Sequence, residues 1–223
     1  MDIEYFLKSR TAFIRYFYEK AVQPFIEIKS AIENKEEPFV PPISDEEDAE
    51  PPFLEEWMKA ETGIETTGHA CISMLSSSLH LFLKAWVCRW EGKYGMKFDA
   101  NFKKGWFNGY KEILEKIELP LSNCGADLDV IEQTTLARNR VQHPEELIML
   151  RINHSKKDLE RFPNPFFAKE AELKMANLTD DGNLTWWLSP SVTSTKEKIF
   201  EAVKQVEAFC SWLEAEYRKP RNA

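Results

Sequence analysis

The fold is decided by residues Thr66–Glu91, which read TTGHACISMLSSSLHLFLKAWVCRWE. Apolar side chains recur there at helical spacing, and from residue 79 to residue 87 they surround almost the whole helix. Thr66 or Thr67 is a suitable N-cap residue, because a hydroxyl can accept a hydrogen bond from the first turn. We therefore predict a central helix over 66–91 that is the most buried element of the chain.

Two histidines, His69 and His80, lie on this central helix. No Cys or His follows either of them at a spacing of three or four residues, so a metal site on the helix is not indicated. We interpret both as buried, hydrogen-bonded core residues.

Four more segments have the apolar spacing of amphipathic helices: residues 2–33, 105–118, 127–143 and about 195–218. Pro24 should kink or split the first of them, and Ser194 with Glu197 resembles a capping box before the last. The aromatic residues of the first helix fit core packing, with a dimer contact or a base-stacking surface as alternatives. The sequence thus predicts an all-α bundle of four to five main helices.

Composition agrees with one helical domain over residues 1–223. The chain is 43% hydrophobic and has only 8 glycines, which favours helices over a β-sandwich or barrel. We find no run of 18 apolar residues and no basic leader, so we expect no membrane partner. Four widely spaced cysteines favour buried, reduced thiols and a cytoplasmic location.

Two insertions are expected within the bundle, at about 34–65 and about 144–194. Residues 33–65 carry twelve acidic side chains against Lys35 and Lys59, a composition that cannot build a core. We expect 36–52 to be loop-like, with imitation of a nucleic acid as an alternative role for the acidic run. The second insertion is rich in loops, and residues 173–178 and 184–188 could pair as a hairpin around the Asp180–Asn183 turn.

The chemically distinctive stretch of the chain closes the fourth predicted helix and reads Arg138-Asn139-Arg140-Val141-Gln142-His143-Pro144. With Arg138 at zero and about 100° per residue, Gln142 falls near 40°, Asn139 near 100° and His143 near 140°. These four side chains share one flank, whereas Ala137, Thr134, Val130 and Val141 face a core. Pro144 disfavours helical geometry at His143, which places the histidine at the helix end.

The pattern Arg138-Asn139-x-x-x-His143 resembles the RNxxxH signature of the HEPN superfamily, a group of small helical proteins. Many of its members are metal-independent endoribonucleases of toxin–antitoxin and phage-defence systems. The resemblance implies catalytic roles for Arg138, Asn139 and His143, no metal or other cofactor, RNA as substrate, and a homodimer with a composite site. It also implies an antitoxin or another regulatory protein as a partner.

RNA contacts outside the motif are expected from Gln142 and from the connection that follows the central helix. There Lys93, Lys97, Lys103 and Lys104 interleave with aromatic residues, a pattern that suits phosphates and bases, although a solvated basic loop is the alternative.

The motif residues also allow a structural role and a binding role. Arg138 could pair with an acid while His143 only caps the helix. The domain could also be a non-catalytic HEPN-like module that binds a nucleotide, RNA or a protein. No Walker loop, HExxH or GxSxG sequence points to another enzyme class.

Overall fold

The computed structural model describes residues 2–42, 50–99, 102–144, 151–178 and 189–220. Its helices in these ranges are α1 (Ile3–Glu33), α2 (Leu54–Tyr94), α3 (Trp106–Lys116), α4 (Leu128–Gln142), α5 (Lys156–Arg161), α6 (Glu170–Leu178) and α7 (Lys196–Arg218). Short 3₁₀ turns lie at Phe102–Lys104 and Leu121–Asn123. The predicted all-α fold is confirmed.

Helix α2 is the centre of the bundle, as its composition predicts, and it contacts α1, α4 and α7. Trp86 and Trp90 of α2 are almost fully buried, and the Trp86 Nε1 donates to the Leu213 carbonyl of α7 at 3.1 Å. Burying a large apolar side chain contributes about 1.5–3 kcal/mol, so this pair stabilises the α2–α7 contact strongly. The donated hydrogen bond satisfies a polar group that would otherwise be costly to bury.

The start of α2 differs from the prediction by twelve residues, because the helix begins at Leu54 and not at Thr66. The second half of the acidic insertion is therefore helical and packs on α1. Gly63 allows a close approach there, since a Cβ at this position would lie 2.5 Å from the Phe25 ring. Lys29 of α1 adds an ion pair with Glu61 at 2.5 Å. In the first half of the insertion, the described residues 34–42 and 50–53 form no helix, as expected, and residues 43–49 lie outside the described ranges.

Pro24 does not split α1, which runs without interruption from Ile3 to Glu33. Contacts with α2 are made on both sides of the proline, through the buried Val22 and the half-buried Phe25. We attribute the continuity of the helix to this packing, which offsets the hydrogen bond that proline cannot donate.

The loop-rich insertion contains two described helices, α5 and α6, although its proline content favoured loops. Residues 173–178 belong to α6, so the predicted first strand of the hairpin is wrong; residues 184–188, proposed as the second strand, lie outside the described ranges. Phe167 is fully buried and fastens the segment to the core. Lys198 of α7 donates to the carbonyls of Phe166 and Ala168, which holds the segment against α7.

Helix α7 is capped by Thr195 rather than by Ser194, because the Thr195 hydroxyl accepts from the Lys198 amide. Ser194 is instead buried against Gly68, where a Cβ would overlap with the Ser194 Oγ. Close packing between α2 and the start of α7 thus displaces the cap by one residue. The inward face of α7 is buried and consists mainly of apolar side chains, among them Ile199, Val203, Val206, Phe209, Cys210 and Leu213.

By length and composition, one helix among the described residues, α2, could cross a membrane, with a mean hydropathy of 1.3 in its most apolar window. Half of that window is buried inside the bundle. The four cysteines are unpaired, and all except Cys88 are buried, which agrees with the sequence prediction.

Candidate functional site

Helix α4 presents the motif at its C-terminal end, as predicted. The Asp127 carboxylate caps its start by accepting from the amides of Asp129 and Val130. Ala137 and Thr134 face the core with 1% and 0% exposure, and these small side chains let α4 lie close to its neighbours. The helix ends at Gln142, with His143 as C-cap in a non-helical conformation before Pro144.

Arg138 and Asn139 form a pair within the motif. The Arg138 Nη1 donates to the Asn139 Oδ1 at 3.0 Å, and both residues are half-buried. Within the described ranges, Arg138 lies at ion-pairing distance from no acidic side chain. The amide therefore orients the guanidinium without neutralising it, and a guanidinium carries further N–H groups that can bind an anion.

His143 and Gln142 are exposed. The His143 backbone N–H donates to the Asn139 carbonyl at 3.0 Å and closes the last helical turn. Its imidazole makes no hydrogen bond or ion pair with any described residue. The Asn139 Oδ1 could have oriented the imidazole by a hydrogen bond, but it accepts from Arg138 instead. His143 lies about 7.5 Å along the helix axis from Arg138, a distance that one phosphodiester group with its ribose can bridge.

A buried carboxylate lies on the same flank of α4, two turns before Asn139. Glu132 is 2% exposed and accepts from Asn108 Nδ2 at 2.7 Å, Lys111 Nζ at 3.0 Å and Arg161 Nη2 at 2.7 Å. These donors come from α3 and α5, so one carboxylate joins three helices. Sequence patterns did not indicate this cluster, because its members are distant along the chain.

Arg140, the second arginine of the motif, points away from the flank, as the helical spacing predicts. Its Nε lies 3.9 Å from Asp158 Oδ2 on α5. Asp158 also accepts from the Ser155 hydroxyl at 2.6 Å, at the N-cap of α5. Arg140 therefore serves the contact between α4 and α5.

His80 is exposed, so its interpretation as a buried core residue is wrong. Its ring stacks on Trp106, with centroids 4.7 Å apart and planes 18° apart. Partial burial, together with the charges of Lys84 and Arg138, lowers the pKa of His80. The motif arginine is thus close enough to act on a second imidazole. By contrast, His69 is half-buried and bonded to the Val192 carbonyl at 2.8 Å, as expected.

A signal for the exposure of His80 was present in the sequence. Ser73, Ser77, Lys84 and His80 recur at intervals of three and four residues, which gives α2 a narrow polar stripe within its apolar surroundings. The abundance of leucine and aromatic residues near position 80 concealed this stripe.

The lysines predicted to bind RNA lie in different settings. Lys93 donates to the Tyr217 carbonyl at 2.9 Å and covers the Tyr217 ring, so it is engaged with α7. Lys97 is 94% exposed and 4.0 Å from Glu91, and Lys103 is exposed on the 3₁₀ turn; the Lys104 side chain lies outside what the structure describes. Lys93 is about 20 Å along α2 from His80, so the structure does not bring it to the motif.

The described ranges contain no group of three His, Cys, Asp or Glu side chains with the geometry of a metal site.

Comparisons of the chain with known protein families, with curated proteins and with solved structures give no significant match.

Proposed function

We propose that the protein is a metal-independent endoribonuclease of HEPN type, acting in the cytoplasm as a toxin or defence effector. The observation that carries this proposal is the arrangement at the end of α4. There Asn139 orients the Arg138 guanidinium, and the exposed His143 follows on the same flank. A cation, an amide and an imidazole on one solvent-facing helix end are the groups that phosphodiester chemistry requires.

Cleavage would use the 2′-hydroxyl of the RNA as nucleophile. A base removes its proton, the oxygen attacks phosphorus, and the P–O bond to the 5′ oxygen breaks as an acid protonates that oxygen. The products are a 2′,3′-cyclic phosphate and a 5′-hydroxyl. His143 can act as base or acid because imidazole titrates near neutrality, and Arg138 can meet the charge of the phosphorane with two parallel N–H groups.

Each chain supplies one motif histidine, so a homodimer would supply both an acid and a base. A suitable interface is the α1–α2 face, which we define by Phe6, Phe13 and Leu81, with exposures of 54%, 55% and 52%. An open cleft of about 600 Å³ runs between the two helices beside Phe13. Leu81 lies in the same turn of α2 as His80, on which the Arg138 charge acts, so this end of the face belongs to the part of α2 that is near α4. Exposed apolar groups of this size favour association with another protein surface.

We expect light scattering at micromolar concentration to give the mass of a dimer and Leu81→Asp to shift it to a monomer that has lost cleavage. A buried charge without a partner is costly, which is why one Asp should suffice. Ile26→Asp is the matched control, since Ile26 is 44% exposed on another side of α1. If the wild-type protein is monomeric and still cuts RNA, the active site is not shared between two chains.

The proposal is tested by incubating purified protein with RNA in the presence of EDTA. Cleavage should continue, because no step needs a metal ion, and its products should carry cyclic phosphates. Intact RNA would refute the nuclease function. If the wild type cuts nothing while RNA, a nucleotide or a candidate antitoxin raises its melting temperature, the domain is a non-catalytic binding module.

A further inference from the structure

A pair of stacked rings, the exposed His80 and the half-buried Trp106, lies between α2 and α3. Trp106, at the start of α3, covers one face of the His80 imidazole at a centroid distance of 4.7 Å. Tyr110 lies edge-on to the same imidazole at 5.9 Å and 65°. His80 is nonetheless exposed, so the part of its ring that Trp106 and Tyr110 leave uncovered is open to solvent.

Positive charge flanks this open face. Lys84 is exposed and lies one turn along α2 from His80, and Arg138 approaches from α4; both act on the imidazole. Partial burial and the two cations lower the pKa of His80, which favours the neutral ring beside them. A flat neutral surface between two cations is suited to a base whose neighbouring phosphates are negatively charged.

We propose that the outer face of His80, supported by Trp106, is a stacking site for an unpaired base of single-stranded RNA, whose phosphates are bound by Lys84 and Arg138. This inference rests on the nuclease function proposed above and names its substrate class. Base pairing in a duplex keeps bases within their own stack, whereas an unpaired base can turn outward onto a ring. The site therefore selects single strands, loops or ends without requiring a base sequence.

The test measures RNA binding in a His143→Ala background, in which the RNA stays intact. Fluorescence anisotropy of a short fluorescein-labelled single strand should give a Kd that His80→Ala raises about 5- to 150-fold, the range found for loss of one stacked base. His80→Phe keeps a flat ring and should bind like the parent. Lys84→Ala should weaken binding as well, whereas Lys204→Ala, which removes a 70% exposed lysine of α7, should not.

A second substrate and a second readout make the test specific. The same strand annealed into a duplex should bind the His80→Ala variant as it binds the parent. In an otherwise wild-type chain, His80→Ala should raise the KM for single-stranded RNA more than it lowers kcat, since stacking and not proton transfer is the role of His80.

The stacking site would be refuted by an unchanged Kd in His80→Ala, by equal losses in His80→Ala and His80→Phe, by a fall of kcat without a rise of KM in His80→Ala, or by a parent that binds no RNA. Failure of the nuclease proposal is a separate result, namely intact RNA after incubation with wild type. Thermal melting of each variant checks that the fold is retained, which we expect because His80 and Lys84 are exposed.

Discussion

His143→Ala and Arg138→Ala should each reduce RNA cleavage about 10²–10⁴-fold while leaving the melting temperature close to that of the wild type. His143 is exposed, and no described residue bonds to its imidazole, so its removal leaves no polar group of the described ranges unsatisfied. Arg138 is half-buried, but its hydrogen-bond partner is the neighbouring Asn139 side chain, which can turn to water. The stability cost should stay within about 1 kcal/mol for either variant.

Two controls separate chemistry from structure in this experiment. Arg140→Ala removes the adjacent arginine, which faces Asp158 and not the flank, and should keep cleavage. Arg138→Lys keeps the charge but loses the planar fork, so its activity should fall between those of wild type and Arg138→Ala. Single-turnover cleavage with EDTA is measured beside thermal melting. Variants that melt early, and whose activity falls only with the unfolded fraction, would show that the two residues are structural.

Much of the bundle could be predicted from the sequence, because helical periodicity reports directly on which face is buried. The sequence predicted each end of α4 within one residue of its observed bound. It also placed the motif correctly at the C-terminal end of that helix. Local signals were sufficient there: Asp127 caps the start, small residues face inward, and Pro144 ends the helix.

Contacts between distant segments account for what could not be predicted. The start of α2 depends on Gly63 accepting the Phe25 ring, and the cap of α7 depends on Ser194 filling the space beside Gly68. The stacking of His80 on Trp106 depends on the position of α3. None of these contacts is encoded within one turn of helix, so no local pattern indicates them.

The second large effect concerns Glu132, the carboxylate that joins α3, α4 and α5. Glu132→Ala should lower the free energy of unfolding by about 3 kcal/mol, the lower end of the cost of breaking a buried ion pair. Lys111 is 22% exposed and would be left without its partner in a largely enclosed site, whereas Arg161, at 47%, can reach water. For a chain of this size the melting temperature should fall by about 6–12 °C.

Glu132→Gln retains the volume and one acceptor oxygen but removes the charge, so its loss should be smaller than that of the alanine variant. Glu201→Ala is the matched control, since that carboxylate is 40% exposed and its ion pair with Lys204 spans 3.4 Å. An exposed pair contributes about 0–1 kcal/mol, so this control should melt almost like wild type. Chemical denaturation of the four proteins gives the comparison, and a Glu132→Ala variant as stable as Glu201→Ala would show that the three helices are held together by their apolar contacts alone.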